Sequence, residues 1–108
     1  MRVDLVPIPI DQTTVYQVLD ELRTQGRVWC EMAEAEANEP TIIEYIAEGQ
    51  FNHPARVIAF NTEEGWSRDV TKDIALKLLD LSMEGWVLGA AARDFVERET
   101  GQTARVIV

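Results

Sequence analysis

Val57-Ile58-Ala59-Phe60 is an unbroken apolar run of strand length, hemmed by Pro54 on one side and Asn61 on the other. A short continuous run of this kind is the pattern of a strand covered on both faces. Asn-Thr-Glu-Glu-Gly at 61–65 breaks it, and a helix follows with Ser67 or Asp69 as its cap and Asp73 one turn in. Val70, Ile74, Leu78 and Leu81 recur at helical spacing, with Ala75 and Leu79 widening the stripe. A buried strand that feeds an amphipathic helix must sit in a sheet with helices packed on it. The unit from Arg56 to Leu81 therefore limits the chain to a mixed architecture.

The flanking segments fill that architecture out. Val15, Val18, Leu19 and Leu22 fit a helical stripe, yet Thr13 to Val18 is dense in β-branched and aromatic residues. The stretch Arg27 to Met32 also reads as a strand, and Arg-Thr-Gln-Gly at 23–26 suits a hairpin link. Two antiparallel strands are the expectation, with a helix over 13–22 as the alternative. A helix is expected after Glu39 and Pro40, with Ile42, Ile43 and Ile46 facing inward and Gly49 ending it. Gly85 interrupts the later pattern. Trp86 is expected to open a further helix carrying Leu88, Ala91, Phe95 and Val96, closed by Gly101. Gly89-Ala-Ala-Ala92 leaves one face thin, so that another element can approach closely. Residues 104–108 have strand character. The fold class is thus α+β: a small sheet, built from a hairpin and the central strand, packed against about three helices.

With 108 residues the chain is long enough for one core, and a single domain spanning 1–108 is expected. An apolar fraction of 46% against 27% charged residues makes disorder an unnecessary assumption. The single Cys30 excludes an intramolecular disulfide and fits a reducing compartment. No apolar run approaches the ~18–20 residues of a bilayer span. Asp4, Pro7 and Pro9 interrupt what a signal peptide would need as its apolar core. A cytoplasmic location is the expectation. The apolar arm at 1–12 has two prolines that deny ladder donors, and it suits an edge position or the surface of a second copy in a homodimer.

The net charge of −9 is concentrated: residues 11–50 carry nine acids against Arg23 and Arg27. This balance excludes the basic footprint of a nucleic-acid binder and opposes an anionic membrane surface. An acidic face is instead suited to a basic protein partner, although acids also serve simply to keep a small protein soluble.

Chemistry-bearing residues are sparse. The turn after the central strand collects Asn61, Gly65, Trp66, Ser67 and Arg68 in front of a helix start, a position where backbone donors and the helix dipole favour a small anion or metabolite. Glu63, Glu64 and Asp69 crowd the same turn, and no Gly-rich phosphate pattern accompanies it. The plainer account is a capped helix with Trp66 packed over the core edge and Arg68 paired to an acid. His53 stands in Asn-His-Pro without the local signature of a hydrolase, and Cys30 reads as a small buried hydrophobe. One His and one Cys cannot complete a zinc set, and Glu31, Glu34 and Glu36 lack a calcium-loop pattern. No catalytic residue, metal or cofactor is expected. Tyr16, Trp29, Trp66 and Trp86 are of the kind that anchors a partner, yet core is the expected place for at least two of the three tryptophans.

The segment Gly49-Gln-Phe, Pro54, Arg56-Val57, Ala59-Phe60-Asn61-Thr62, Glu64 to Val70 and Asp73-Ile74-Ala75 resembles a family of short uncharacterised bacterial proteins. The likeness covers about a quarter of the chain. It implies a bacterial origin and a strand at Val57 to Phe60, and no activity or ligand. The leading functional expectation is a non-enzymatic interaction module, acting through the acidic 11–50 region or as a homodimer. Its alternative is a small-anion, metabolite or enzymatic site at the strand-to-helix turn Asn61–Asp69.

Overall fold

The structure, a computed structural model, describes residues 14–30, 32 and 36–104. Among them the chain runs β1 (Thr14–Leu22), β2 (Gly26–Trp29), α1 (Glu39–Ala47), β3 (Pro54–Asn61), β4 (Trp66–Asp69), α2 (Thr71–Met83) and α3 (Ala90–Thr100). The strands form one antiparallel sheet in the order β2-β1-β3-β4, so the hairpin and the central strand are joined by a short fourth strand. The fold is α+β, and 14–22 is a strand rather than a helix. The arm at 1–12, Glu31, Glu34 and residues 105–108 of the expected terminal strand lie outside the described residues.

β1 and β3 pair from Thr14↔Asn61 to Asp20↔Pro54, with a register shift after Leu19. Alternation along each strand sends Val18, Val57 and Ala59 to one face, where they join Ile42, Ile46, Ile74, Leu78 and Phe95 in one buried cluster. Val15, Leu19, Ile58 and Phe60 take the other face and are only partly buried. The central strand is therefore covered fully on one face, not on both. Its unbroken apolar run comes from a half-open face that is itself apolar.

Two polar clamps fix the sheet to its surroundings. Asp20 is buried on the helix side and accepts hydrogen bonds from Asn52 N (2.9 Å) and His53 N (2.7 Å). It thereby pins the loop that enters β3. Thr71 is buried at the start of α2, and its Oγ1 accepts from Val57 N at 2.9 Å. The same hydroxyl and the Thr71 N–H donate to the Asp69 carboxylate. Asp69 thus satisfies the helix start from one residue outside it, while the boundary position Val70 makes no side-chain cap bond. Ser67 and Asp69 lie in β4, which corrects the expected capping by Ser67.

α1 follows its sequence signals, and Asn38 adds a cap by accepting from Thr41 N at 3.0 Å. Trp86 does not open a helix. Residues 86–89 form a connection without regular secondary structure, and α3 begins at Ala90 with Ala92, Phe95 and Val96 buried. The thin face at Gly89 is used: its N–H donates to Ala47 O at 3.0 Å, and a Cβ there would stand 3.6 Å from that oxygen. The loop after α2 thus rests on the C-terminal end of α1.

Both helix ends at this junction carry acids. Glu48 and Glu84 occupy the C-cap positions of α1 and α2, and neither last turn contains a base. An acid beside the negative end of a helix is destabilising. Glu84→Lys is accordingly expected to raise stability by about 0.5 kcal/mol, read as a higher urea midpoint at unchanged slope. Asp20→Ala leaves two backbone donors unpaired and is expected to cost about 3 kcal/mol in the same assay.

Candidate functional site

The predicted site residues are brought together, but as a β-hairpin rather than a strand-to-helix turn. β3 and β4 pair in the register Asn61↔Trp66, Phe60↔Ser67, Ala59↔Arg68 and Ile58↔Asp69. Asn61 organises the bend: its Oδ1 accepts from Glu63 N (3.1 Å) and Glu64 N (2.6 Å), while its Nδ2 donates to Thr14 Oγ1 (3.2 Å). Gly65 closes the turn by donating to Asn61 O at 2.9 Å with φ +77°, a backbone state that favours glycine. These amide donors are engaged within the turn, so an anion at the bend would have to displace them.

Strand alternation separates the rest. Ser67 and Asp69 face the half-open side of the sheet, and Asp69 is also 3.7 Å from Arg56 Nε. Trp66 and Arg68 face the helix side. The Arg68 guanidinium lies 5.8 Å from the Trp66 ring centroid, within cation–π range, and Trp66 Nε1 donates to Glu64 Oε2 at 2.9 Å. Trp66 remains 37% exposed, on a strand whose four residues are all exposed.

Register builds a groove beside this pair. Tyr16, Ala59 and Arg68 form one cross-strand row, with Ala59 as the small, buried middle member. α1 and α2 supply the opposite wall, and the resulting groove of about 310 Å³ is lined by Tyr16, Glu39, Arg68, Asp73, Lys77 and Asp80, with apolar residues between. Tyr16 donates to Glu39 Oε2 at 3.0 Å, and Lys77 pairs with the other oxygen of the same carboxylate. Burial, then the Glu39 carboxylate, pushes the Tyr16 phenol up to about 12. The phenol is therefore a hydrogen-bond donor near neutrality, not a base. Two cations face three carboxylates here, an arrangement suited to a ligand of mixed charge rather than a bare anion.

Of the groove residues, sequence reasoning singled out Arg68 as a site residue and Asp73 only as a helix-start acid. Asp73, Lys77 and Asp80 stand at the i, i+4, i+7 spacing of one helix face, which is a readable signal. Nothing local joins Tyr16 to Glu39, whose meeting depends on the start of α1 docking on β1, where Tyr16 N also donates to Ala37 O at 2.9 Å.

The other candidates are placed elsewhere. His53 Nδ1 is 3.7 Å from Asp94 Oδ2, which also accepts from Arg98 Nε at 2.8 Å. Cys30 is half-buried beside Met32 and Asp20, and burial raises its thiol, making it a poorer nucleophile. Among the described residues no group of three or more His, Cys, Asp or Glu side chains could hold a metal ion. No helix there is long and apolar enough to cross a membrane. The tryptophans overturn their expected core placement: Trp29, Trp66 and Trp86 are 49%, 37% and 43% exposed. Compared with protein-family models, with curated proteins and with solved structures, the chain matches none.

Trp66→Ala is expected to cost about 1 kcal/mol, well below the ~3–5 kcal/mol of a buried tryptophan, as measured by urea unfolding. The raised phenol of Tyr16 favours the neutral form in the folded state. Its contribution to stability is complete below about pH 10 and is lost as pH rises toward about 12. Tyr16→Phe is expected to remove that part of the alkaline loss, and near-ultraviolet tyrosinate absorbance reports the titration directly.

Proposed function

We propose that this chain is a non-enzymatic interaction module that engages a protein partner. The observation that carries the reading is the exposure of all three tryptophans in a chain with few large aromatic residues. Tryptophan stabilises a small core strongly when buried, and its surface placement costs that gain. At interfaces it is the residue that most often dominates binding energy. Charge supports the same reading. No Lys or Arg occurs between Arg27 and Arg56, and Glu44 and Glu48 of α1 are exposed within that stretch. A net charge of −9 argues against nucleic acid and an anionic membrane as the partner. The bacterial resemblance and the single cysteine support a setting in the bacterial cytoplasm, with a homodimer as one form the module takes.

A second reading rests on Arg68 over Trp66 beside the 310 Å³ groove: a small metabolite of mixed charge bound between β4 and α2. Millimolar phosphates, nucleotides, carboxylates and amino acids would then raise the melting temperature, and Arg68→Ala would abolish the rise. The absence of any shift removes this reading.

For the interaction module, the test is capture of a partner by the full chain, compared with Glu44→Gln/Glu48→Gln and with Trp29→Ser/Trp66→Ser/Trp86→Ser. Both variants are expected to stay folded by circular dichroism and to lose the partner. Undiminished capture by both would overturn the proposal.

A further inference from the structure

Two stretches of the sequence without Lys or Arg, 28–55 and 78–92, touch through Ala47, Gly49 and Gly89. The contact that joins them is the Gly89 N–H donating to Ala47 O, with the backbone of Gly49 against Gly89. Around that contact stand the C-terminal ends of α1 and α2, capped by Glu48 and Glu84. The last residue of α2 and the loop that follows it expose Met83, Trp86 and Val87 at 55%, 43% and 72%, while the next residue, Leu88, is buried and anchors the loop. Apolar side chains are therefore displayed on a surface that carries two acidic caps, two helix ends of negative polarity, and the further exposed acid Glu44.

Each feature works against the isolated protein. Acids at helix C-termini repel the helix dipole, and exposed Trp, Met and Val leave apolar surface in water. A single kind of ligand reverses both penalties: one that carries cations beside apolar anchors. Cations would sit at the helix C-termini, where they are favourable, and the anchors would cover Met83, Trp86 and Val87. We propose that this surface is the docking site for a basic amphipathic segment of a protein partner, with lysine or arginine flanking an apolar helical stripe. The inference rests on the interaction-module reading and assigns that module its surface and the chemistry of its partner.

The test uses a labelled synthetic peptide of leucine and lysine patterned as an amphipathic helix. A peptide of the same composition, ordered so that no apolar face forms, is the control. Fluorescence anisotropy with the full chain is expected to show saturable binding that weakens at high salt, at least about tenfold tighter than for the control. In a Trp29→Phe/Trp66→Phe background, the emission of Trp86 is expected to shift to the blue on binding. Val87→Asp alters a side chain that is 72% exposed, so the fold is retained, and it is expected to weaken binding by about tenfold or more. Glu48→Gln/Glu84→Gln is expected to reduce both the affinity and its salt dependence.

Equal binding of the two peptides, or no binding of the patterned one, would overturn the proposal. Binding that is lost in Glu44→Gln/Glu48→Gln but unchanged in Val87→Asp would also overturn this surface while leaving the acidic interaction module standing. Failure of the module itself is read separately, from undiminished partner capture by its charge and tryptophan variants.

Discussion

The pairing of β1 with β3 is the constraint on which the other elements depend. It joins residues 14–22 to residues 54–61, segments some forty positions apart, and it sets Val18 directly opposite Val57 at the centre of the buried face. Closing so long a loop costs chain entropy, which is recovered only when the helices cover that face. α1 connects β2 to β3 across β1, and its isoleucines supply much of the cover. β2 and β4 are then attached at the two edges, and the Thr71 hydroxyl ties the helix after β4 back to Val57. Asp20 performs the corresponding task at the other end of β3.

This plan puts the burial on one side of the sheet and leaves the short strands and the helix ends to meet solvent. The places where exposed aromatics stand follow from it. Trp29 lies on the edge strand β2, Trp66 on the edge strand β4, and Trp86 in the loop where α2 gives way to α3. Edges and ends are also where a small protein can carry features that its own stability does not favour. The acid-capped ends of α1 and α2, with Met83, Trp86 and Val87 between them, are one such place. The Arg68–Trp66 pair beside the Tyr16–Glu39–Lys77 network is another. They differ in character: the first is apolar and of one charge sign, and the second is a groove of mixed sign.

Much of the fold was legible along the chain. The Ile42, Ile43 and Ile46 stripe, the glycines at 49 and 101, the Val70 to Leu79 periodicity and the link ending at Gly26 each reported a local preference that the tertiary structure kept. β4 was not legible. Four exposed residues, two of them charged, show no burial pattern, and they form a strand only because β3 offers an edge to pair with. For the same reason Ser67 and Asp69 read equally as helix caps, when it is Asp69 that accepts the bonds that begin α2. The tryptophans were misplaced because a composition rule about buried aromatics carries no information on which particular ring reaches the core. The candidate site was legible as a neighbourhood, Asn61 to Arg68, but its division by strand alternation into Trp66 and Arg68 on one face and Ser67 on the other was not.

By itself, then, the sequence determined the class of fold, the start and finish of most helices, the identity of the central strand and the concentration of negative charge in residues 11–50. These are properties of local spacing, turn chemistry and composition, and they survive in any packing that buries the apolar stripes. Only the tertiary structure decided that Tyr16, Ala59 and Arg68 share a row, that the three tryptophans stand in solvent, and that two stretches without Lys or Arg touch where Gly89 meets Ala47. Each of these depends on register and on close approach between segments distant in the chain. Such distances are set by the pairing and packing of whole elements, and no local run of residues encodes them.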